Sequence, residues 1–190
     1  MYLETNTHAE AVRSLEFAAI QAKTIANDLY AWKWVLISLH NAAQSIMVLA
    51  MWNGNGLLSM SEKDAQKWLI AYRDGTTYPK IYLDTFLNLY EKCKKPENFG
   101  YCGSVPFSAT TNHNLSFTEL NKFRNEFIHF TPKGWSLETL GLPSLVKDVL
   151  ALIEFFGWHS LAILWYEEEL RVRAQIACDS ISQTMIELEK

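Results

Sequence analysis

The stretch from Trp32 to Trp52, WKWVLISLHNAAQSIMVLAMW, is the most apolar in the chain, and few folds can hide a helix of that kind. A bilayer would accept its length, but Lys33, His40, Asn41 and Gln44 interrupt it. A hydrocarbon core would penalise that set by several kcal/mol, so the stretch is expected to be a buried helix of a soluble bundle. It should run from about Tyr30 to Trp52 and stop at Asn53-Gly54-Asn55-Gly56, a strong breaker.

The surrounding segments also read as helices, and no convincing period-two strand is found. A capping box from Thr7 to Glu10 opens a first helix, with Val12, Leu15, Ala19, Ala22, Ala26 and Leu29 on one face. Ser61 with Asp64 caps a shorter helix ending near Gly75. Pro79 suits the first turn of another, to about Cys93, and Pro96 ends it. A last helical stretch starts near Pro143 and continues towards the C-terminus with a bend at Gly157. Its second half carries Leu170, Ala174, Ala177, Ile181, Met185 and Leu188 on one stripe. Glu167 and Glu169 precede Arg171 and Arg173 by four residues, as on a solvated face. The expectation is an all-α, up-and-down helical bundle in a single domain over residues 1–190, with additional short helices and one long loop.

With 49% hydrophobic and 13% aromatic residues, a chain of 190 can bury a proper core. Its net charge is −4, whereas proteins that bind long nucleic acid by phosphate contacts are usually basic. Any RNA contact must therefore be local. The N-terminal residues show no basic region followed by an apolar run, so no signal peptide is read there. Cys93, Cys102 and Cys178 are odd in number and lack metal-ligand spacing, as expected of reduced thiols in a cytoplasmic protein.

Residues 94–115 carry no clear period, and a loop of that length inside a compact domain tends to be functional or mobile. Its Phe99, Tyr101, Phe107 and His113 are of types that stack on bases, but anchoring the loop onto the core is the preferred reading. Ser116 with Glu119 forms a further capping box, opening a helix to about Phe130, and Pro132 pushes Thr131 out of the helical region. On a wheel of this helix Phe117, Leu120, Phe123, Phe127 and Phe130 gather on one face. His129 falls on roughly the opposite side and Arg124 at the border, with Asn121, Asn125 and Ile128 between them. Spacing alone would make His129 an ordinary exposed histidine at a helix end, where the carbonyl dipoles favour its cation.

The segment RNEFIHFTPKGW, residues 124–135, resembles the Arg-Asn-x-x-x-His signature of HEPN-domain proteins and sits late in a helix, as that signature does. With KWVLISLHNAAQSIMVLA, residues 33–50, it resembles uncharacterised bacterial HEPN-like proteins more closely still. The resemblance implies a HEPN-like bundle and a metal-independent endoribonuclease acting as a homodimer with a composite site, of the kind found in toxins and phage-defence effectors. Carried onto this chain, Arg124 holds the scissile phosphate, His129 serves as acid or base, and Asn125 orients the site. The residue types suit that chemistry. Imidazole transfers protons near neutral pH, and guanidinium offers phosphate oxygens two parallel hydrogen bonds. One histidine per chain cannot readily serve as both acid and base, which a two-fold interface would remedy.

Lys122, Lys133 and Asn121 are candidate substrate contacts, set against a solvated reading of the two lysines. The cluster Lys92, Lys94 and Lys95 reads as solvated. His40 and Asn41 are candidates for supporting Arg124 from behind, although hydrogen bonding within the bundle is the first expectation for both. Trp135 is expected to pack over the end of the motif helix. No Gly-rich phosphate loop, nucleophile elbow or paired-histidine zinc signature occurs, so neither metal nor other cofactor is expected. RNA is the expected substrate, an antitoxin or regulatory protein a candidate partner, and no membrane association is expected. The rival reading is a catalytically silent helical dimer that binds a nucleotide, RNA or a protein, because fold does not settle function.

Overall fold

A computed structural model describes residues 2–52, 54–129 and 134–190. Its helices are α1 (Thr7–Ala22), α2 (Ala31–Ala50), α3 (Glu62–Asp74), α4 (Phe86–Cys93), α5 (Thr111–Ile128), α6 (Leu142–Glu154) and α7 (Glu168–Leu188). Among the described residues no strand forms, and the extended backbone pairs once, at an isolated bridge between Met60 and Leu83.

Helix α2 is the axis of the bundle. It buries Val35, Leu36, Leu39, Ala42, Ala43, Ile46 and Met47 and packs against α1, α4, α5 and α6. No helix among the described residues is long and apolar enough to cross a membrane. Side-chain registers give the directions. Lys33 and His40 on α2 meet Phe127 and Asn121 on α5, so those helices are antiparallel. Ser116 on α5 donates to Asp148 on α6 at 2.6 Å, and Lys147 on α6 pairs with Glu189 just beyond α7 at 2.6 Å. Helix α1 runs beside α7 in the same sense, with His8 donating to Leu164 O (3.0 Å) and Arg173 paired with Glu16 (2.8 Å). Four long helices, α1, α5, α6 and α7, therefore form one bundle with α2.

Local signals set several boundaries as expected. Ser61 accepts from the Asp64 backbone N–H, Gly75 closes α3 in the left-handed region at φ 63°, and Pro143 sits in the first turn of α6. Ala174, Ala177, Ile181 and Met185 are buried on α7, with Leu170 and Leu188 packed at the edge of the core. Other boundaries differ. Asn6, not Thr7, caps α1 by accepting from Ala9 N, and α1 ends at Ala22, leaving Ala26 and Leu29 exposed while Ile25 turns inward. Helix α4 starts at Phe86 under a Thr85 cap rather than at Pro79; residues 76–85 form no helix, and Leu83 among them bridges to Met60. Thr110 and His113 form the capping box of α5, with the cap six residues before Ser116, whose hydroxyl is taken by Asp148. The last helical stretch is broken rather than bent: a π-turn at Phe155–His159 ends α6, and Leu161 turns at φ 60° before α7. On α7, Arg173 does meet Glu169, whereas Arg171 pairs with Glu168 instead of Glu167.

The long connection, now 94–110, is anchored as preferred. Phe107 is buried against Phe155, Phe156 and His113, Phe99 lies on Phe156, and Tyr101 donates to Ala162 O at 3.4 Å.

Candidate functional site

The motif occupies the last turns of α5. Phe117 and Leu120 are fully buried, and Phe123 and Phe127 are packed against the core, which turns Asn125, Ile128 and His129 outwards. Phe130, Lys133 and the Thr131-Pro132 pair lie outside the described residues. Trp135 packs on Phe127 with ring centroids 5.2 Å apart, as expected for a residue covering the end of this helix.

Arg124 is half-buried at the edge of the apolar stripe. Its Nη1 donates to Asn125 Oδ1 at 3.0 Å, while its Nε is buried without a partner, and among the described residues no carboxylate pairs with it. That guanidinium is thus oriented but not neutralised. His129 is the exposed C-cap residue, its backbone N–H bonded to Asn125 O at 2.9 Å. Asn125 therefore touches both functional candidates, with its side chain on Arg124 and its carbonyl on His129. Within one chain the imidazole and the guanidinium are not joined by a hydrogen bond.

Behind this surface His40 is buried on α2, its Nε2 3.3 Å from Asn121 Oδ1 and its ring stacked on Phe86 at 3.8 Å. A carbonyl oxygen only accepts, so the proton sits on Nε2 and Nδ1 keeps a free lone pair. That Nδ1 is buried without a partner, as is Arg124 Nε. Asn121 thus points inward to α2 rather than out to a ligand. Asn41, one position further round α2, is exposed. Lys122 is exposed and paired with Glu119 at 3.2 Å. Lys92 departs from the solvated reading: its ammonium meets Asp84 Oδ2 at 2.8 Å and the carbonyls of Leu58 (3.2 Å) and Met60. Lys94 is also engaged, reaching Glu91 and Asn114.

Burial holds the His40 imidazole at a pKa of about 4; the hydrogen bond to Asn121 opposes this and the positive charge of Arg124 reinforces it. The unfolded chain takes up the same proton near pH 6.5, so it binds more protons than the native state between about pH 6.5 and 4. Native stability therefore falls as pH drops through that window. Urea unfolding at pH 7 and pH 4.5 is expected to show the wild type losing about 2 kcal/mol more than His40→Gln on acidification. Equal losses in the two proteins would show that His40 is not held neutral.

Sequence reasoning missed one feature beside the motif. A cavity of about 580 Å³ is lined by Leu29, Tyr30, Trp32, Lys33, Phe127 and Trp135, among others. It adjoins α5 through Phe127, but neither Arg124 nor His129 lines it. Lys33 Nζ lies 4.9 Å from the Trp34 ring centroid and 5.5 Å from that of Tyr30. The aromatic run Tyr30–Trp34 was the available signal, absorbed by the reading of α2 as a buried helix. Among the described residues no three His, Cys, Asp or Glu side chains converge as metal ligands would. Burial raises the thiol pKa of Cys93 and of Cys178.

No protein-family profile matches this chain, and no curated protein and no solved structure is significantly similar to it.

Proposed function

We propose that the chain is a metal-independent endoribonuclease of the HEPN type that works as a homodimer. The observation that carries this reading is the state of Arg124: held by Asn125, free of any ion pair among the described residues, and one turn before an exposed His129. In the reaction, the ribose 2′-oxygen attacks phosphorus as its proton passes to an imidazole. The 5′-oxygen leaves with a proton from an imidazolium, giving a 2′,3′-cyclic phosphate. Arg124 binds the phosphoryl oxygens as charge builds on them. His129 of one subunit is base and that of the other acid, so a site assembled across a two-fold axis supplies both protonation states. Asn125 keeps Arg124 aimed, Lys122 contributes a secondary phosphate contact, and Asn121 makes no substrate contact but ties the motif helix to α2 through His40. Lys133 retains its candidate phosphate contact from its place beside the motif in the sequence alone.

The test is cleavage of RNA by purified protein in EDTA, with His129→Ala and Arg124→Ala beside the wild type and folding checked by circular dichroism. Cyclic-phosphate ends, lost in both folded variants, are expected. Cleavage that survives both substitutions sinks the reading. A folded dimer that binds RNA without cutting it leaves the alternative, a regulatory binding module, which the net charge of −4 favours.

A further inference from the structure

Helix α3 and the segment after it form an arm at the end of the bundle where α2 finishes. Of the thirteen residues of α3 only Ala71 is buried, and a helix of that length is marginal in water without help. Its support is largely aromatic. The Trp68 ring lies parallel to Tyr78 (4.7 Å, 11°) and to Tyr72 (5.9 Å, 8°), and these outer rings are 52% and 65% exposed. Lys80 Nζ sits 5.6 Å over the ring of Tyr82, which is also exposed.

Charge singles out the same segment. Residues 61–83 carry Lys63, Lys67, Arg73 and Lys80 against Glu62, Asp64 and Asp74, a net positive arm on a chain of net charge −4. Lys67 and Arg73 are paired with Asp64 and Asp74, whereas Lys63 and Lys80 have no ion pair among the described residues. Protein interfaces deplete charge at their centres, but single-stranded nucleic acid needs this combination: ring faces for bases and cations for the backbone.

We propose that the arm binds an unpaired stretch of RNA, with bases stacking on Tyr72 and Tyr78 and phosphates meeting Lys63 and Lys80. The choice of RNA rests on the ribonuclease reading. The arm supplies the local positive surface that an acidic chain needs to hold a polyanion. Among the described residues its rings meet neither Arg124 nor His129, so it contributes to binding and not to the chemistry.

The test is fluorescence anisotropy with a labelled twelve-nucleotide 2′-O-methyl oligouridine, which lacks the attacking hydroxyl and cannot be cut. The wild type is expected to bind it, more weakly as salt rises. The exposed double substitution Tyr72→Ala with Tyr78→Ala should raise Kd at least about tenfold, and Lys80→Ala should flatten the salt dependence. No binding by the wild type, or an unchanged Kd in the folded double variant, overturns the proposal. So does a double variant that light scattering finds converted from dimer to monomer with Kd intact, which assigns the rings to a second copy. The two readings separate cleanly. Binding through the arm without cleavage of native RNA keeps the arm and removes the ribonuclease, while cleavage with an unchanged KM in the double variant does the reverse.

Discussion

Replacing His129 or Arg124 by alanine is expected to lower RNA cleavage by about a thousandfold, with the fold intact. The size follows from what each group supplies. Proton transfer by a positioned imidazole contributes on the order of 10²–10⁴-fold, and one donor at a developing charge on the order of 10²–10³-fold. Neither substitution should unfold the protein, because His129 is exposed and Arg124 has no ion pair to lose among the described residues. Because the proposed site uses His129 of both subunits, a heterodimer of wild type with His129→Ala should be inactive, so subunit exchange with excess variant should lower cleavage below that of the wild type alone. Cleavage that stays proportional to the wild-type subunits after exchange would argue against a shared site.

The second large effect concerns stability and the base of the arm. Lys92 on α4 gathers Asp84 and the carbonyls of Leu58 and Met60, and Asp84 N bonds to Ser59 O at 2.9 Å. One ammonium thus clamps both strands of chain that enter and leave α3. Lys92→Met keeps the apolar stem but leaves a buried carboxylate and two carbonyls without their partner. Removing one member of a buried ion pair typically costs about 3–5 kcal/mol. Urea unfolding should show a loss of that order, and hydrogen exchange should accelerate most across residues 57–85. An effect under about 1 kcal/mol would mean that the clamp is open in solution.

How far the chain could be read varied with the range of the signal. Helix α2 was legible because apolar residues in that density, interrupted by polar ones, read as a buried helix, and the Ser61 cap and the α7 stripe because each involves residues within a turn or two. The core face of the motif helix was legible for the same reason, as was the outward position of His129. Its start was not: the Thr110–His113 box lay in a segment without period, and Ser116 looked like a cap until Asp148, 32 residues away, took its hydroxyl. Lys92 reads as solvated beside Lys94 and Lys95, since nothing within a turn announces Asp84 or the carbonyls of residues 58 and 60.

The sequence by itself determined that this chain is helical, which faces go inward, and that Arg124, Asn125 and His129 share the end of one helix. Those properties depend on periodicity and on caps, which are satisfied within a few residues. Only the tertiary structure decided which polar groups are joined: His40 to Asn121 across α2 and α5, Arg173 to Glu16 across α7 and α1, and Lys92 to Asp84 under the arm. Such pairs form between segments far apart in the chain. A buried donor takes whichever acceptor packing brings to it, and packing is a property of all the helices together.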